Sequence, residues 1–265
     1  RFSPNTFCPA SSTGAICSQG WVLETATSVT EPGARPARAS AAAMRLWMSA
    51  RLGDMDGMAL QGDGERDVLS RTAATFSPRT VRGRALPNLL FFTDPARVAA
   101  PEAVAERLPR GAGIVFRAFG APDAVEQGRR LREIATARSL MLLVGAHVGL
   151  AEDVGADGVH LPERMATSIP RLRAEHPRYL FTAAAHDLAA LQTAERSGAD
   201  AAVVSPIFPS NSPSAGEPLG VEGLTRLIAA TALPVYALGG VRARTVPALA
   251  GAGVVGIAAV EALAG

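Results

Sequence analysis

The chain has 265 residues, enough for one large domain or for a domain with a tail. A hydrophobic fraction of 48% with only 5% aromatic residues fits an Ala/Val/Leu-rich α/β core, and a net charge of +2 without interleaved basic and aromatic residues argues against a nucleic-acid partner. All 26 basic residues are arginine, which excludes Schiff-base chemistry and any anion site built on lysine; no apolar run reaches the ~18 residues that a membrane span needs.

Residues 1–84 lack sustained periodicity and are rich in Ser, Thr, Gly, Pro and Arg, so they are expected to form a weakly ordered N-terminal extension, with a short helix over Ala41–Leu52. Up to Arg51 the only acids are Glu24 and Glu31, against five arginines. That bias suits an organellar transit peptide, and equally a disordered tail or an over-extended reading frame, for which Met44, Met48, Met55 and Met58 offer internal starts. Cys8 and Cys17 read as idle thiols of a cytoplasmic protein, with a disulfide as the alternative.

From Leu86 the pattern changes to apolar runs alternating with amphipathic segments. Strands are predicted at Leu89–Phe92, Gly113–Phe116, Leu140–Val144, Gly158–Leu161, Tyr179–Thr182, Ala201–Val204, Val235–Leu238 and Val254–Ile257. Helices are predicted at Pro101–Leu108, Asp123–Arg138, Val148–Val154, Met165–Glu175, Leu188–Ser197, Val221–Thr231, Thr245–Ala250 and Val260–Ala264. Short continuous apolar runs separated by helices are the mark of parallel strands covered on both faces. Eight such units over residues 85–265 predict a (β/α)8 barrel, compact beside the typical ~250 residues. Gly155-Ala-Asp157, Gly198-Ala-Asp200 and Gly251-Ala-Gly253 each close a helix before a strand, a role in stability at the barrel bottom. A doubly wound open sheet is the rival. Its one support, Gly251-Ala-Gly-Val-Val-Gly256, ends a helix and enters a strand, which is the reverse of the dinucleotide fingerprint.

A barrel carries its chemistry at the C-terminal ends of its strands. That reduces the candidates to Thr93, Asp94, Arg117, His147, His160, Glu163, His186, the stretch Ser205–Ser214 and two small-residue junctions, Gly239-Gly240 and Ala258-Ala259. Without side chains in the way, backbone amides at those junctions can approach an anion, as in the phosphate site after the last two strands of such barrels. His186 follows Thr182-Ala-Ala-Ala185 and can shuttle a proton in a cleft, or make only a local hydrogen bond at a helix start. His160 reads as a satisfied core histidine, and His147 and His176 as structural or solvated. The Pro-, Ser- and Gly-rich loop over Ser205–Pro218 suits a lid, or simple surface slack.

Thr93-Asp94, Gly155-Ala-Asp-Gly-Val-His-Leu161, the His186 segment, Gly198-Ala-Asp200, Pro206-Ile-Phe-Pro209, Pro218-Leu-Gly220, Leu238-Gly-Gly-Val241 and Gly251-Ala-Gly253 stand in an order that resembles the thiamine phosphate synthase/TenI superfamily, over residues 86–265. The resemblance implies a TIM barrel and a small phosphorylated heterocycle, thiazole phosphate, as ligand. Two activities come with it. The synthase joins hydroxymethylpyrimidine diphosphate to thiazole phosphate with Mg²⁺ and releases pyrophosphate. The TenI branch aromatises the thiazole phosphate by proton transfer.

Where the synthase pattern has a Gln-x-Arg-x-Lys strand end, an Asn-Asp pair, a later Asp and a Thr-x-Thr-Lys loop, this chain has Arg117-Ala-Phe119, Gly145-Ala146, Met165 and Ser210-Asn-Ser-Pro213. Loss of one charge-stabilising donor costs roughly 3–4 kcal/mol of barrier, so losing several argues against pyrophosphate release. The resemblance therefore implies a TenI-like tautomerase without a cofactor. His186 would be its acid/base and Arg117 would position the substrate. Phosphate would bind at Gly239, Gly240, Ala258 and Ala259, with Ser210 and Ser212 in the substrate loop. The alternatives are a divergent synthase, with Glu163 assisting Mg²⁺, and a non-catalytic phosphate-ligand binder. Homo-oligomerisation stays open.

Overall fold

The computed structural model describes residues 64–210 and 216–265. Eight parallel strands close into a barrel: β3 (Leu89–Phe92), β4 (Gly113–Phe116), β5 (Met141–Gly145), β6 (Gly158–Leu161), β7 (Leu180–Ala185), β8 (Ala201–Val204), β9 (Val235–Ala237) and β10 (Gly256–Ala259). Each pairs with the next, and β10 returns to β3 through Ile257–Leu89, Ala258–Leu90 and Ala259–Phe91. Closure leaves no sheet edge, and the strands are buried on both faces, which is why they read as unbroken apolar runs. The helices α2 (Pro101–Ala105), α3 (Ala124–Arg138), α4 (Val148–Asp153), α5 (Ile169–Glu175), α6 (Leu188–Arg196) and α7 (Gly220–Ala229) connect them. None of the helices is long and apolar enough to cross a membrane, among the described residues.

Several boundaries differ from the sequence expectation. The expected helices at Thr245–Ala250 and Val260–Ala264 are short 3-10 turns (Val246–Leu249 and Glu261–Leu263), and that at Met165–Glu175 opens as 3-10 over Glu163–Ser168 before α5. β7 runs three residues beyond Thr182, because Ala183, Ala184 and Ala185 pair with Ala202, Val203 and Val204. Ladder pairing there outweighs the weak strand preference of alanine. For the same reason β10 spans Gly256–Ala259 and not Val254–Ile257.

Residues 65–84, placed by the sequence reading in the weakly ordered extension, hold a helix, α1 (Glu65–Ala73), and most of a hairpin of β1 (Thr80–Val81) with β2 (Arg84–Ala85). Leu69 and Ala73 of α1 are buried in the same core as the barrel strands. The rest of that extension, with Cys8, Cys17 and the helix expected at Ala41–Leu52, lies outside the described residues. Gly155, Gly198 and Gly251 take φ values of +65°, +78° and +75°, the left-handed helix endings expected of them.

Candidate functional site

The C-terminal ends of the strands surround a cavity of about 630 Å³. Its lining gathers His186, Arg117, Gly239, Gly240, Ala258, Ala259 and Ser210, all expected from sequence, together with His147 and His160. Ser212 lies outside the described residues. Glu163 is exposed at the start of the 3-10 segment and is not part of the lining.

The rim after β9 is built by glycine. Gly239 and Gly240 have φ of +91° and +65°. A Cβ on Gly239 would stand 2.8 Å from Pro206 Cα, and one on Gly240 2.5 Å from the Pro209 carbonyl oxygen, so no other residue fits without moving the chain. The loop after β8 is pinned onto this rim: Ile207 N–H donates to Leu238 O (3.0 Å) and Phe208 N–H to Gly239 O (3.0 Å). Its base is therefore not slack. Thr245 Oγ1 donates to Gly240 O (2.8 Å), which turns that carbonyl inward to the turn. Among the described residues, the amides of Gly239, Gly240 and Val241 donate to no acceptor, and neither do those of Val260 and Glu261 after β10. Ala258 and Ala259, expected to donate at the second junction, instead sit inside the β10 ladder, and the first amides beyond it are those of Val260 and Glu261.

His186 stands directly after β7, before Asp187, whose carboxylate caps α6 by accepting from Ala190 N–H (2.8 Å). Its Nδ1 lies 2.6 Å from the Ser205 carbonyl oxygen. A carbonyl only accepts, so Nδ1 carries the proton and the neutral ring keeps its lone pair on Nε2. His160 has the opposite character. It is buried on β6, its Nδ1 lies 2.9 Å from Thr182 Oγ1, and Phe92 meets its ring edge-on at 5.0 Å. Burial, reinforced by the charge of Arg117, pushes it down to about 3 from an ordinary 6.5, so it is neutral.

Arg117 follows β4. Its Nε donates to Thr93 O (2.7 Å), one NH2 approaches Asp94 at 3.4 Å, and its own N–H donates to Thr93 Oγ1 (2.8 Å). Burial pulls this guanidinium below the ordinary arginine range; Asp94 works against that pull and Arg97 adds to it. Sequence reasoning missed the rest of the charge. Arg97, Arg164, Arg242 and Arg244 also line the cavity, against a single carboxylate among the described residues, Glu261. Glu261 accepts from Arg97 Nε (3.0 Å) and Arg242 NH2 (2.6 Å), and Glu65 of α1 accepts from the other side of Arg242 (3.2 Å). Only their place in the loops three to seven residues beyond the strand ends could have singled them out.

The Mg²⁺ of the synthase chemistry would need several oxygen ligands. Of the carboxylates near the mouth among the described residues, Glu261 is engaged by two arginines, Asp94 by Arg117 and the Ala96 N–H, and Glu163 lies outside the lining. That donor set does not fit the ion.

Residues 89–263 match the family model described as thiamine monophosphate synthase. The chain belongs to the thiamine phosphate synthase/TenI superfamily. The thiamine-phosphate synthase of Pyrococcus furiosus is 31% identical over 182 residues, covering 67% of this chain and 87% of that protein. The thiamine-phosphate synthase of Lactococcus lactis is 30% identical over 142 residues, 52% of this chain and 65% of that relative. The chain thus spans just under two thirds of the Lactococcus relative. Among solved structures, the thiamine phosphate pyrophosphorylase from Pyrococcus furiosus superposes with a TM-score of 0.59 at 27% identity, covering 68% of this chain and 88% of that one.

Proposed function

We propose that this superfamily member is a TenI-like thiazole phosphate tautomerase of thiamine biosynthesis. The observation that carries the reading is His186: the Ser205 carbonyl fixes its tautomer and leaves Nε2 as a base in the same cavity as rim amides without acceptors among the described residues. The phosphate of the substrate binds the Gly239–Val241 amides, with Arg117 positioning the ring or its carboxylate. Nε2 takes a proton from one ring atom and returns it to another, so the step is an isomerisation with no net change in atoms. It needs no leaving group, in keeping with a mouth whose carboxylates are already held by arginine. The test is aromatisation of the tautomer substrate, followed by absorbance, with His186→Ala and His186→Gln alongside. Both variants are expected to lose roughly 10²–10⁴-fold in rate; a full rate in either, or no aromatisation by the unaltered chain, overturns the reading.

A divergent synthase is the second reading, favoured by the names of the relatives and by the arginines around the mouth. Magnesium-dependent release of pyrophosphate from hydroxymethylpyrimidine diphosphate and thiazole phosphate would establish it in place of the first.

A further inference from the structure

Among the described residues, Phe119 is the one aromatic side chain left exposed, at 63%. It is also held in the left-handed region, with φ of +49°, where a bulky side chain is an outlier. A phenylalanine that is both exposed and strained gains nothing for the core, and such outliers gather at functional sites. It lines the cavity, three residues beyond β4.

Its surroundings make it a surface and not a loose ring. The Arg117 guanidinium lies 5.1 Å from the Phe119 centroid and 5.5 Å from that of Phe92. Because Nε of that arginine is tied to Thr93 O, the cation between the two rings is fixed, and it holds Phe119 in place. The rest of the ring surface stays open at the mouth, beside Gly120, which has open space where a side chain would be. Around the closed barrel, β4 lies three strands from β7, which carries His186, and three from β9, which carries the glycine rim. Phe119, His186 and that rim line one cavity, so a ligand anchored at the rim shares it with the ring.

We propose that Phe119 is a stacking platform for a flat heteroaromatic ring, and so a specificity-determining residue of the cavity. This rests on reading the cavity as a site for a phosphorylated heterocycle, and the experiment separates the two. Binding of thiazole phosphate and of inorganic phosphate to the full chain is measured by calorimetry, for the unaltered protein and for Phe119→Ala, Phe119→Tyr and Phe119→Leu. Phe119→Ala is expected to weaken thiazole phosphate about three- to tenfold, the range of an aromatic pair, and to leave inorganic phosphate unchanged. Phe119→Tyr restores the loss and Phe119→Leu does not. Equal weakening of both ligands, no weakening of either, or full restoration by leucine overturns the platform while the phosphate site stands. If the unaltered chain binds neither ligand, the site reading falls and the platform with it. The exposure of the side chain keeps the variants foldable, which unchanged melting midpoints would verify.

Discussion

Of the three histidines that line the cavity, His186 and His160 differ in burial and in what each nitrogen meets. His186 gives its Nδ1 proton to a carbonyl at the rim and keeps a basic nitrogen, whereas His160 is sealed beneath it against Phe92 and Thr182. For His160 the consequence is a pH-dependent stability. Its native value near 3 lies below the ordinary 6.5, so between those values the unfolded chain binds a proton that the native chain refuses. Stability is then fully present above about pH 6.5 and is lost as pH falls toward 3, by about 2 kcal/mol at pH 5. Urea midpoints of the unaltered chain and of His160→Asn at pH 8 and pH 5 check this. The variant, which can still hydrogen-bond Thr182, should lose less stability on acidification. Equal losses in both would place the acid sensitivity elsewhere.

At the scale of elements, α1 bears directly on the site. Its Leu69 is fully buried and its Glu65 holds Arg242 at the rim, with a second bond from Ala243 N–H at 3.2 Å. Leu69→Ala should therefore cost about 2–5 kcal/mol of unfolding free energy, read as a lower urea midpoint; a change near zero would make α1 an ornament of the barrel. The sequence carries the periodic signal for this helix in Val68-Leu69, Ala73 and Phe76, but it spans little more than two turns beside a Ser- and Pro-rich tract and so reads as tail. The strands were far more legible. β3, β4, β6 and β8 run over the same residues that the apolar runs predict, because a strand buried on both faces leaves no polar position to blur its ends. β7 and β10 end in alanines, whose membership in the ladder depends on neighbours that no local pattern reveals. The displaced end of β10 is also why Ala258 and Ala259, read from sequence as a junction, stand within the ladder while still lining the cavity. The place of Gly239, Gly240, Arg117 and His186 in the cavity lining was legible because their residue types stand just after a strand, where a barrel opens. Phe119 was not, since a lone aromatic in a loop gives no sign of its exposure.

Over the whole molecule the charges nearly cancel, to +2, but they are not evenly placed. Among the described residues, five arginines and one glutamate line the mouth, and Glu65, Glu261 and Asp94 offset Arg242, Arg97 and Arg117. Arg164, after β6, and Arg244, after β9, have no hydrogen-bond or ion-pair partner among the described residues. These two sit three strands apart around the barrel, so their fields converge on the opening from different sides. An anion entering between them meets charge that no carboxylate among the described residues offsets, and at exposed positions that attraction is screened by salt, over about 10 Å at 0.1 M and 3 Å at 1 M. Inorganic phosphate should therefore bind the unaltered chain more weakly as NaCl rises from 0.05 to 0.5 M, and Arg164→Ala combined with Arg244→Ala should both lower the affinity at low salt, by about tenfold or more, and flatten the salt dependence. The same variant should leave the melting midpoint where it was, because neither side chain holds another part of the chain. A salt slope unchanged by removing both arginines would mean that the rim amides and the carboxylate-bound arginines hold the anion unaided.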